Sequence, residues 1–255
     1  MARPLLVEAE HKKEVGVFAN PNVWFIGANV LTAPVMPDRS VDSTVTVALT
    51  HEICSYGAGP ADLARFAARI YDHTRAGGVW VNSDVLGPED GDRRVRLTLA
   101  TDDGAPLTSP HEGLDALTRQ QVRDFVGTLS TDALLLQFGQ DFPRLSSSPW
   151  SATRGAPGEW TLPLSQAMEF MTRKDYHDNW LSECHERFCD LAYSDWTTLL
   201  GRVGFVLEAA SGPVRNDWLV AHRFDPVARL TELDGAALAW PDTHVLTVAR
   251  RVTSG

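Results

Sequence analysis

The stretch "STVTVALT" (residues 43–50) constrains the fold more than any other part of the chain. It is almost continuously apolar or β-branched, the pattern of a strand covered on both faces in a parallel sheet. "GPADLARFAARIYDHT" follows, with Leu63, Phe66, Ala67 and Ile70 at helical spacing and Asp62 near the start, where its charge suits the helix dipole. A Gly-Gly turn then leads into Val79–Val81, a strand that ends on Asn82, Ser83 and Asp84. Strand, helix, strand in this order argues for an α/β sheet, largely parallel. Upstream, "RPLLVEAE" reads as a short strand with an acidic end and "NVWFIGAN" as a β-rich run; "FVLEAASGP" and "THVLTVARRV" read as late strands.

The middle reads differently. Residues 87–190 are expected to form an insert, or cap, within a single domain spanning 1–255. Its first part is rich in Asp, Gly, Pro and Ser, and Val122, Phe125 and Val126 suggest a buried helical stripe. One or two helices and long loops are expected there, and loops of that length are commonly functional. Trp196 and Phe205, just beyond it, read as core.

The 255-residue chain carries a formal net charge of −10. That balance is a poor match to a nucleic-acid backbone, which rewards clustered Lys and Arg. No apolar run reaches the length of a membrane span, and the first residues lack the pattern of a secretory signal. Three cysteines do not make a disulfide framework. The expectation is a cytoplasmic protein with no nucleic-acid and no membrane partner.

Ligands of open α/β sheets sit outside the carboxyl ends of the strands. A buried strand that closes on Thr50, His51 and Glu52 therefore aims polar groups at a crevice. His51 is the candidate general base, since an imidazole titrates near neutrality. Glu52, Tyr56 and Asp84 are expected to face a substrate. The chemically dense stretch "RKDYHDNWLSECHERFC" offers Tyr176, His177 and Trp180 as a cap over that substrate. Its His and Cys spacing fits no standard closed zinc site, so no metal is expected. In "PVRNDWLVAHRF", Arg215, Asn216 and Trp218 provide a planar cation, an amide and an amphipathic wall.

"NVWFIGANVLTAPVMPDRSVDSTVTVALTHEICSYG", "HTRAGGVWVNSDV" and "DWTTLLGRVGFVLE", in that order, resemble the class I S-adenosylmethionine-dependent methyltransferases that act on small molecules. The resemblance covers roughly residues 5–100 and 190–250. It implies a Rossmann-like, largely parallel sheet with a C-terminal antiparallel hairpin, S-adenosyl-L-methionine as cofactor and a small-molecule acceptor. It implies that Glu8, or its competitor Glu10, holds the cofactor ribose, and that Asn29, Val30 and Thr50 line the adenine side. One departure is large. The family's first strand carries a Gly-rich turn, whose backbone amides approach the cofactor closely. No such turn is found here, and "LLVEAE" takes the place of the second strand, as if the chain were truncated at its N-terminus. Three outcomes are then open: a longer gene, a homo- or hetero-oligomer whose partner completes the sheet, or direct closure of the flanking strands. The function is expected to be methyl transfer, with two alternatives: a catalytically incomplete subunit, or a methyltransferase fold recruited for a non-methylating reaction such as cyclisation.

Overall fold

The structure is a computed structural model, and it describes residues 3–20, 22–33 and 35–252. In chain order the elements are α1 (Arg3–Glu14), β1 (Val41–Val47), α2 (Thr50–Tyr56), α3 (Pro60–His73), β2 (Thr74–Val85), β3 (Arg94–Leu99), α4 (Arg119–Val126) and α5 (Thr131–Ser146). There follow β4 (Thr153–Arg154), β5 (Glu159–Pro163), α6 (Leu164–Met171), α7 (Trp180–His185), α8 (Tyr193–Val203), β6 (Phe205–Leu207), β7 (Gly212–Val214), β8 (Ala228–Thr231) and β9 (His244–Arg251).

Two sheets organise these elements. The first runs β1-β2-β9-β6, with β7 also pairing β9. β1 and β2 are parallel, while β9 runs antiparallel to both β2 and β6. This is the α/β sheet with a reversed C-terminal strand that the sequence implies. α3 earns its place through the expected stripe: Pro60 opens it, and Leu63, Phe66, Ala67 and Ile70 are all buried. α8 ends on Gly204, whose φ of 108° suits glycine; a Cβ there would meet the Tyr71 ring at 3.1 Å. Trp80, Phe66, Trp196 and Phe205 share one core beneath these helices.

The second sheet runs β4-β5-β3-β8 and is antiparallel throughout. It packs with α4, α5 and α6 around a separate core containing Leu97, Phe138, Trp160 and Phe170. The expectation of one or two helices and long loops for 87–190 understates this region. β8 joins its sheet from beyond that range, pairing Leu97 with Leu230.

The N-terminal reading fails. "RPLLVEAE" lies in helix α1, not in a strand. Leu, Glu, Ala and Lys are strong helix formers, and Val7 is the only β-branched residue among them. "NVWFIGAN" forms no regular element and pairs with no described strand. Among the described residues no helix is long and apolar enough to cross a membrane.

Candidate functional site

The site forms where β1 and β2 end. Asp84, near the end of β2, is buried and turns back to cap α2. One of its oxygens, Oδ2, accepts the backbone N–H groups of Leu49 (3.2 Å), Thr50 (2.6 Å) and His51 (3.2 Å), and the Thr50 hydroxyl (2.5 Å). These are the donors a helix start leaves unpaired, and a carboxylate suits them electrostatically. The chain after β1 is thereby drawn into a helix, so Thr50, His51 and Glu52 open α2 rather than tip a strand.

The other Asp84 oxygen receives His51 Nδ1 at 2.5 Å, and His51 Nε2 lies 3.2 Å from Glu186. The ring also stands edge-on to Phe188, 4.9 Å between centroids. Burial pushes the imidazole toward the neutral form, but the hydrogen bonds to Asp84 and then Glu186 outweigh it and raise its pKa to about 9. His51 is thus an imidazolium at neutral pH, with both N–H groups donated to carboxylates. A general base must start deprotonated, so His51 in this state does not fill the role expected of it. Burial likewise pushes Asp84 up, yet the His51 hydrogen bond and charge hold it below the ordinary carboxylate range.

Glu186 arrives from the second core. Tyr56 donates its hydroxyl to Glu186 at 3.2 Å and lies 3.1 Å from the Ser182 hydroxyl. Its ring stacks on His185, with 4.4 Å between centroids and 8° between planes. Arg187 donates its backbone N–H to Ser55 and its guanidinium to the Cys54 carbonyl. Residues 182–188 are held from behind by Arg173, which is fully buried. That guanidinium donates to the Glu183 and Glu186 carbonyls at 2.6 and 2.5 Å and pairs with Glu169. It also lies over the Phe188 ring. Burial first, and then the Glu186 charge, push the Glu183 carboxyl up to about 7. The same two causes raise Glu52.

The space behind His51 is nearly closed: the cavity lined by Thr50, His51, Cys54 and Trp196 holds about 10 Å³. A more open trough of about 650 Å³ lies elsewhere, lined by Val30, Val35 and Met36, by Val45 of β1 and by Phe66 and Ile70 of α3. The accessible part of the site is its rim, where Tyr56 is 54% exposed.

No protein-family description and no curated protein matches this sequence. Solved structures superpose on it at low identity. A SAM-dependent methyltransferase from Methanosarcina mazei is 11% identical with a TM-score of 0.43, over 99% of this chain and 79% of that one. An S-adenosylmethionine-dependent methyltransferase from Mesorhizobium loti is 15% identical with a TM-score of 0.41, over 91% and 73%. The [4+2]-cyclase SpnF is 11% identical with a TM-score of 0.33, over 99% and 65%.

The residues expected from sequence divide sharply. Thr50, His51, Tyr56 and Asp84 come together, and Glu52 lies beside them on α2. The cofactor set does not assemble. Glu8 sits on the exposed surface of α1, paired with Lys12 at 3.4 Å. Asn29 closes a turn, its side chain accepting the Leu31 N–H. Val30 lines the trough outside β1. Trp180 is not a cap over substrate; it is core, donating its indole N–H to Asp141 at 2.9 Å. Tyr176 and His177 border a separate surface hollow with Arg123. Arg215 pairs with Asp217, Asn216 caps the turn that follows it, and Trp218 stacks on His222. Sequence reasoning missed Glu183, Glu186 and Arg173. A faint signal existed, since Glu183 and Glu186 are three apart in the dense stretch already singled out.

Proposed function

We propose that this chain supplies the acceptor side of an S-adenosylmethionine-dependent methyl transfer to a small molecule. One observation carries the reading: two adjacent parallel strand ends and a segment of the second core converge on His51 at the carboxyl end of an open sheet. The acceptor lies at the rim, against the Tyr56–His185 stack. Glu183, titrating near neutrality, takes the proton that an O–H or N–H acceptor must lose. His51 holds Glu186 in place and offsets the charge of the surrounding carboxylates.

The cofactor itself does not fit the described residues as they stand. Glu8 is on a helix surface, and the amides of Leu49, Thr50 and His51 are already taken by Asp84. That mismatch favours a second reading, a methyltransferase-like subunit incomplete without another chain.

Titration calorimetry with S-adenosylhomocysteine, paired with amide chemical shifts, separates the two. The first reading expects saturable heat with shifts at the Tyr56–His185 rim. No heat at millimolar ligand leaves the incomplete subunit. Heat with shifts elsewhere overturns the location of the site.

A further inference from the structure

The first sheet is covered on one side only. Cross-strand neighbours point the same way, so the register sorts its residues by face. Thr44, Trp80 and Ala249 lie in one row, and Thr46, Asn82 and Thr247 in the next; these face the helices, and all but Thr44 are buried. The opposite face carries Val45, Val81 and Val248 in one row, with Val79 and Val206 nearby. None of these is buried, and Val45, Val47 and Val206 are 65%, 67% and 53% exposed. The outer edge of β1 also pairs with no described strand. A partly exposed, valine-rich face that also carries Ser43, Ser83 and Arg250, joined to an edge with no described partner strand, is a template for association.

The same chain carries a matching piece. Residues 3–20 and 22–31 form an arm in which α1 lies against the irregular run that follows it, with Leu6 beside Gly27, Lys13 over Trp24 and Phe18 against Phe25. α1 buries none of its residues, and Leu5, Val7, Trp24 and Ile26 are 74%, 64%, 74% and 54% exposed. The arm is a helix and a β-rich sequence run without a sheet; among the described residues β1 is a sheet edge without a neighbouring strand on its outer side. Leu5, Val7, Trp24 and Ile26, each more than half exposed, are available to the interface, which takes roughly 800 Å² from each partner when stable. The chain's own arm is poorly placed to fill the gap. Its tether packs Leu31 against the core under α3, and Val35 and Met36 line the trough with Phe66 and Ile70. It therefore leaves on the helix side of the sheet, with the valine face on the other.

We propose that the outer edge of β1 and its valine face receive the arm of a second copy of this chain, in a reciprocal exchange. Such an exchange is isologous and closes on itself as a two-fold dimer. In parallel register with its Ile26 opposite Val45, the second copy's run sets its Asn29 beside Ala48, at the edge of the candidate site. The inference stands on surfaces alone and does not depend on methyl transfer.

Sedimentation equilibrium on the full chain tests it. The expected result is a species of twice the 28.0 kDa chain mass. Val45→Lys with Val47→Lys, both at exposed positions, is expected to weaken association at least tenfold with an unchanged circular dichroism spectrum. Mixing an Ile26→Cys chain with a Val45→Cys chain is expected to give a disulfide-linked pair. A monomer at high micromolar concentration overturns the proposal, as does a dimer indifferent to the lysines. A disulfide formed only within one Ile26→Cys/Val45→Cys chain at high dilution overturns it too, since the arm then belongs to its own sheet.

Discussion

The two ends of β1's influence make an instructive contrast. Past its carboxyl end, the polar groups of Thr50, His51, Asp84 and Glu186 are buried or nearly so, and each has a partner. Along its outer side, apolar groups are exposed and have none. A buried ion pair costs desolvation and is a weak net source of stability, so the part of this network that caps α2 is what holds the fold. An exposed valine face, in turn, forgoes burial worth about 25 cal/mol per Å², and stays only if another surface covers it. The first region reads as a site, the second as an interface.

The largest expected effect breaks the first region. Asp84→Ala strips the acceptor from three backbone N–H groups and leaves the His51 cation half-paired. Urea unfolding is expected to show a loss of about 3–5 kcal/mol. A loss under about 1 kcal/mol would mean that the network contributes no more than a surface contact.

Next comes pH. The folded-state pKa of His51 is raised, so the native state holds more protons than the unfolded chain across that range. Its contribution is fully present below the ordinary 6.5 and is lost as pH rises through about 9. The loss amounts to no more than about 3 kcal/mol. Glu183 works in the same direction from 4.5 to about 7, while Asp84, depressed below 3.8, protects only above that value. Melting temperature is therefore expected to fall steadily from neutral to alkaline pH, and His51→Gln to flatten the alkaline part.

Glu186→Gln sharpens the comparison further. It keeps the shape but removes one of the two charges on His51, so the imidazole is expected to titrate lower than in the native chain, with a stability cost of about 1–2 kcal/mol. The smallest effect belongs to the valine face. In dilute, monomeric protein Val45→Thr is expected to stay within about 0.5 kcal/mol of the native chain, the range of surface substitutions. Its cost is expected to grow with protein concentration. A large cost at every concentration would show that the face is covered within one copy.

What the sequence disclosed follows the physics of periodicity. β1, α3 and β2 were legible because apolar residues there recur at one period and close on named breakers. α1 was misread because "LLVEAE" is too short for its period to separate helix from strand, and propensity then decided. The second sheet was harder. "RVRLTL" in β3 does alternate, but its partners β5 and β8 lie far along the chain, and nothing local says that they meet. The site shows the same divide. His51 and Asp84 were legible because one stands just past the apolar run of β1 and the other near the end of β2. Glu186 was not, since Tyr56, which donates to it, is 130 residues away, and only tertiary packing brings them together. Trp180 is expected in the cap because it stands in a chemically dense stretch, whereas its indole N–H has a buried carboxylate partner in Asp141.

The charge state of His51 tests the built site most directly. A nitrogen–proton correlation spectrum of the imidazole, followed from neutral into alkaline pH, reads both ring nitrogens at once. The account predicts both protonated at neutral pH, with a single midpoint near 9. One bare ring nitrogen at neutral pH and a midpoint near the ordinary 6.5 would contradict it.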